Sequence, residues 1–120
     1  MATLTILVAA APEHSEHGRF AFELARAARG RGHRVRIFGI ADGVWHARAV
    51  PGEGPERPSL TEELAAWLAA DGAAELAVCS HSGEERGLDG MQLIPGVVRS
   101  STSQFGSMVA EADRCVCLVP

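Results

Sequence analysis

Short apolar runs rich in β-branched residues alternate along this chain with longer stretches whose apolar residues recur every three or four positions. The first run, Thr3–Ala10 (TLTILVAA), predicts a strand buried on both faces. Residues 17–29 predict a helix. Phe20, Ala21, Leu24, Ala27 and Ala28 fall at helical spacing, and Gly30 or Gly32 stops it. Arg34–Ile40 (RVRIFGI) predicts a second strand, and residues 43–49 a short helix. Residues 51–58 (PGEGPERP) hold three Pro and two Gly and read as a loop. Ser59-x-x-Glu62 is a capping box, which opens a helix through Leu60, Leu64, Trp67 and Leu68 that ends at Gly72. Glu75–Cys79 (ELAVC) predicts a third strand, residues 81–87 a short helix and Gly96–Arg99 a brief fourth strand. A last helix over residues 103–112, packed through Phe105, Met108, Val109 and Ala112, leads into a fifth strand, Cys115–Val119 (CVCLV).

This alternation predicts an α/β fold: an open, mostly parallel five-stranded sheet with helices on both faces, three layers in all. Parallel strands need crossover connections, and helices supply them. The 120 residues suit one domain and no more. One residue departs from the pattern. Phe22 falls on the polar side of the first helix, among Arg19, Arg26 and Arg29, and is expected as a surface aromatic or a subunit contact.

Composition narrows the function. Hydrophobic residues make up 47% and charged residues 22%, as in ordinary globular proteins. A net charge of −4 gives no general attraction to phosphate backbones, so no direct nucleic-acid partner is expected. The chain has no Lys, which excludes Schiff-base chemistry on a Lys side chain and a Walker-type phosphate loop. No apolar stretch nears the roughly 20 residues that cross a bilayer, and residues 1–11 lack a basic segment for export. Three Cys without an export signal suggest reduced thiols and a cytoplasmic location.

Candidate chemistry gathers where open α/β sheets bind ligands, at the carboxyl ends of the strands. That edge carries residues 11–17 (APEHSEH), the turn holding Trp45 and His46, residues 79–86, and the turn at residues 100–103. Cys79 ends the third strand just before a short helix, whose positive end favours thiolate over thiol. Arg86 adds positive charge, and His81, two residues away, is placed to exchange a proton. The competing account is a buried core Cys. His14 and His17 are spaced i, i+3, but no fourth ligand is fixed by spacing, so no metal is expected there. Cys115 and Cys117 point to one face of the last strand; such a pair binds metal or exchanges disulfides elsewhere, and here is expected as core packing under helices. Residues 9–17 contain no Gly, so the dinucleotide fingerprint fails and no cofactor is expected. Ser101-x-x-Gln104 reads as a second capping box, at a helix start that also suits an anion.

Residues 74–88 (AELAVCSHSGEERGL) resemble the active-site segment of the DsrE/DsrF/TusD sulfur-relay family, in which a strand ends in Cys, a short helix follows and an Arg-Gly pair comes soon after. Residues 32–47 (GHRVRIFGIADGVWHA) are similar to that family's second strand and following turn. Residues 94–120 are similar to its closing strand–helix–strand, including Ala112-Asp113-Arg114. The resemblance implies a sulfurtransferase subunit in which Cys79 accepts sulfur as a persulfide and passes it on. Arg86 would stabilise the thiolate, His81 would move protons, and His14, His17, Trp45, His46 and Ser101 would meet substrate or partner. It further implies sulfur-donor and sulfur-acceptor proteins as partners, and a homo- or hetero-oligomer, trimer or hexamer. The chain departs from the family's Gly/Tyr-rich turn after the first strand, having residues 12–17 (PEHSEH) there. The alternative is a non-catalytic assembly, regulatory or small-ligand-binding subunit of the same fold.

Overall fold

A computed structural model describes all of residues 1–120. Strand β1 (Thr3–Val8) leads to helix α1 (His17–Gly30), then β2 (Arg34–Gly39) and a 3-10 turn over Ala41–Ala47. Helix α2 (Leu60–Ala70), β3 (Ala74–Cys79) and the short α3 (Ser80–Glu85) follow, then β4 (Val98–Ser100), α4 (Thr102–Glu111) and β5 (Arg114–Leu118). The sheet is parallel throughout, in the order β4-β3-β2-β1-β5. The predicted α/β architecture is thus the observed one.

Both predicted capping boxes are present: Ser59 with Glu62 opens α2, and Ser101 with Gln104 opens α4. Each satisfies two backbone donors that a helix start would otherwise leave unpaired. Asp113, just before β5, accepts a hydrogen bond from the Thr3 amide at 2.8 Å, while its own amide donates to the Thr3 carbonyl. The last strand is thereby pinned to the first.

Because the strands are paired on both sides or packed on both faces, the sheet divides the interior into two cores. On one face Ile6, Val8, Val35, Ile37 and Leu76 pack against Ala21, Phe22 and Ala25 of α1 and Leu64 of α2. On the other, Phe38, Ala77 and Cys79 pack with Val44, Leu88 and Met108, the last from α4.

Two expectations are corrected here. Phe22 is not on the surface: it is only 2% exposed, while Phe20 is 55% exposed. The buried stripe of α1 is Gly18, Ala21, Phe22 and Ala25, an i, i+3, i+4, i+7 set rotated from the predicted one. Phe22 meets Trp67 of α2 edge to face, with ring centroids 5.6 Å apart, and the Arg19 and Arg26 guanidinium groups lie over its ring. The arginines that suggested a wet surface instead cover the ring with their stems. Second, Cys115 and Cys117 are exposed rather than packed in the core. β5 is an edge strand, and α4 lies over β1, where Thr5 donates to the Met108 carbonyl, so β5's outer face is left open.

Candidate functional site

Cys79 is the last residue of β3, paired in register with Ser100 of β4. Its backbone is extended, and α3 begins at the next residue, so the thiol caps that helix: Sγ accepts a hydrogen bond from the Ser82 amide at 3.5 Å. The strand end and the helix start are where the sequence placed them. The exposure is not. Cys79 is 2% exposed, packed among Phe38, Val44, Ala47, Ala77 and Leu88, and it lines none of the clefts at the sheet edge.

Ser82 is the residue that sequence reasoning missed. It is buried, and its three polar groups are all engaged. Its amide donates to Cys79 Sγ, its hydroxyl accepts from the Ala41 amide at 3.0 Å, and its carbonyl accepts from Arg86 Nη1 at 3.1 Å. Ala41 has a φ of 52°, a left-handed conformation rare for a residue with a Cβ, and the bond to Ser82 holds it there. The available signal was a Ser two residues into a helix that follows a strand-end Cys.

Arg86 does not touch the thiol. Its Nε donates to Asp42 Oδ1 at 2.8 Å, so its charge is matched by a carboxylate, and it reaches Cys79 only through Ser82. Gly87, after it, has a φ of 71°, which accounts for a glycine in the Arg-Gly step. His81 is exposed on α3 and faces Glu85 at 3.6 Å, away from the buried sulfur.

The other predicted residues sort into two groups. His14 and Trp45 line a cleft of about 180 Å³ with Ala11, Glu13, Asp42 and Arg48. His14 and His17 line an adjoining cleft of about 430 Å³ that runs between the ends of β1 and β5, bounded by Asp42 and Pro120. Arg48 stacks over Trp45 and pairs with Glu13 at 3.2 Å. His46 and Ser101 take no part in these clefts. Ser101 is occupied in the α4 capping box. His46 is 4% exposed; its Nδ1 lies 2.9 Å from the Gly43 carbonyl, and its Nε2 is buried without a partner. Burial holds the imidazole below its ordinary value of 6.5, against the opposing pull of the Gly43 carbonyl and Glu13.

The site therefore has two parts, a wet cleft at the sheet edge and a sheltered thiol behind it. Asp42 lines the cleft, and the chain Asp42–Arg86–Ser82–Cys79 joins the two through hydrogen bonds.

The fold and site define a parallel α/β protein with a helix-capping thiol at the end of β3, an interior strand of its sheet. The DsrE/DsrF-like family matches residues 2–118, and the chain belongs to that family. Among solved structures, the ychN protein from E. coli is similar at a TM-score of 0.76 and 21% identity, with 98% of this chain and 100% of that one covered. MTH1491 from Methanobacterium thermoautotrophicum, described as a protein of unknown function, is similar at a TM-score of 0.70 and 12% identity, with the same coverage. At these identities the likeness is one of fold. No curated protein matches the chain. No helix is long and apolar enough to cross a membrane.

Proposed function

We propose that this chain is a sulfur-relay protein that takes up sulfur as a persulfide on Cys79 and passes it to a partner protein. Membership of the DsrE/DsrF-like family supports a sulfur-relay role in general. The observation that carries the specific reading is the hydrogen bond from the Ser82 amide to Cys79 Sγ, which fixes that sulfur against the first turn of α3 at the end of β3. In the uptake step the Cys79 thiolate attacks the outer sulfur of a donor persulfide. The donor's S–S bond breaks, its inner sulfur leaves as thiolate, and Cys79 becomes the persulfide without any external oxidant. Because the thiol is buried, uptake requires the cover over it to open, and the Asp42–Arg86 pair links that cover to the cleft where a donor would dock. His14, His17 and Trp45 line the docking clefts in this reading.

The burial of Cys79 favours a second reading, a non-catalytic subunit whose thiol is inert. One experiment separates the two. Cys115 and Cys117 are exposed and would take up sulfur themselves, so the test is run on a C115S/C117S background, with and without C79S. Intact mass after incubation with a persulfide donor should show a gain of one sulfur, about 32 Da, that is lost with C79S. Equal uptake with and without Cys79, or none in either, would remove the relay role. A folded-state Cys79 that reacts slowly with a bulky thiol reagent, independent of pH, would establish the inert reading.

A further inference from the structure

The exposed pair Cys115 and Cys117 is not explained by the site at Cys79. On β5 Cys115 pairs in register with Thr5 and Cys117 with Leu7, and Leu7 pairs with Phe38, which pairs with Ala77. Both thiols thus lie on the same sheet face as Cys79. However, β5 and β3 are separated by β1 and β2, three strand spacings, or about 14 Å. No direct exchange with Cys79 of the same chain is within reach. The two sulfurs are neighbours of each other: partial burial first, then the charge of Cys117 and a hydrogen bond donated to it, hold the Cys115 thiol above its ordinary value.

Three chemistries are open to such a pair, and geometry chooses among them. Packing is excluded by exposure. A disulfide between residues i and i+2 of an extended strand spans about 6.6 Å between Cα atoms, at the upper limit of what a disulfide bridges, so closing one would distort β5. That strand is held along its length by β1 and at its start by Asp113. A metal bridge needs less. A linear thiolate–metal–thiolate unit spans about twice a metal–sulfur bond of roughly 2.3 Å, well beyond the roughly 2 Å between the sulfurs of a disulfide, so it asks less of the backbone. Metal choice follows from ligand number. No group of three or more His, Cys, Asp or Glu residues is placed to hold a metal anywhere in the chain, so tetrahedral Zn²⁺ lacks its set. Cu⁺ is soft, prefers thiolates and accepts two of them.

We propose that Cys115 and Cys117 form a two-thiolate site for Cu⁺ on the open face of the edge strand. Binding exchanges two thiol protons for one Cu⁺ and leaves a bis-thiolate complex of single negative charge. No electron is transferred.

The test is an anaerobic titration of the reduced protein with Cu⁺ held by a coloured chelator, with intact native mass as a second readout. The wild-type chain and C79S should each take one Cu⁺ from the chelator. C115S and C117S should each compete roughly 10²–10⁴-fold less well, as expected when one arm of a two-point attachment is lost. Both substitutions lie at exposed positions, and unchanged thermal melting of the apo variants confirms that only the ligands were altered. Wild-type protein that fails to compete, single variants that compete as well as wild type, or copper that is lost with C79S would each overturn the site. Because C79S is the variant that tests the relay and is expected to keep copper here, either proposal can fail without the other.

Discussion

The imidazole of His46 lies directly on the Cα of Gly18, so close that a Cβ added at Gly18 would sit 2.1 Å from Nε2. His46 comes from the 3-10 turn after β2, and Gly18 from the first turn of α1. Glycine here permits the close approach of two elements at the sheet edge. Gly18→Ala should therefore destabilise the fold by about 1–3 kcal/mol, the usual cost of overpacking. The midpoint of urea unfolding measures it. Adding His46→Ala should restore part of the loss, because the two positions are in contact and their effects do not add.

The same histidine gives a pH dependence. Its folded-state value lies below the unfolded value of 6.5, so the folded protein prefers the neutral ring. Its contribution to stability is complete above about pH 6.5. As pH falls below that value, the unfolded chain binds a proton that the folded chain resists, and stability declines until the folded value is reached. Urea midpoints should fall between pH 7.5 and pH 5.5 in the wild type and fall less in His46→Gln. Asp71, whose carboxyl is lowered chiefly by its hydrogen bond to Arg29, acts in a separate window, losing its contribution as pH drops below about 3.8. A wild-type midpoint that is flat from pH 7.5 to 5.5 would contradict the burial argument for His46.

Phe22→Ala should cost about 3–5 kcal/mol, the range for truncating a buried aromatic. A surface ring would cost almost nothing. Denaturant titration of this one variant distinguishes the two placements, and Trp67 fluorescence should shift because its edge-to-face partner is gone.

Ser82→Ala should cost about 0.5–1.5 kcal/mol, since the half-buried Ala41 amide loses its acceptor. The amide of residue 82 still reaches Cys79, so the hydrogen bond to the sulfur survives. Released from Ser82, Ala41 and the 3-10 turn are free to relax, and a bulky thiol reagent should label Cys79 faster than in the wild type. Unchanged labelling would show that Ser82 does not hold the cover closed.

Most of the architecture was legible in the chain. Strand and helix reveal themselves through local periodicity, and the boxes Ser59–Glu62 and Ser101–Gln104 act within a few residues. The order of elements required a parallel sheet, and the strand-end Cys79 before a helix followed from the same order. Three matters needed the folded chain. The rotation of α1 depends on which partner it meets, and Trp67 of α2 drew Phe22 inward; the stripe Gly18, Ala21, Phe22, Ala25 escaped notice because a glycine does not count as apolar. The exposure of Cys115 and Cys117 depends on β5 lying at an edge, a property of strand order that no local pattern encodes. The burial of Cys79 depends on what covers the end of β3: Leu88 just beyond α3 and, from a segment distant in sequence, the 3-10 turn. Local pattern sets what each segment becomes; long-range packing sets which of its atoms remain in contact with water.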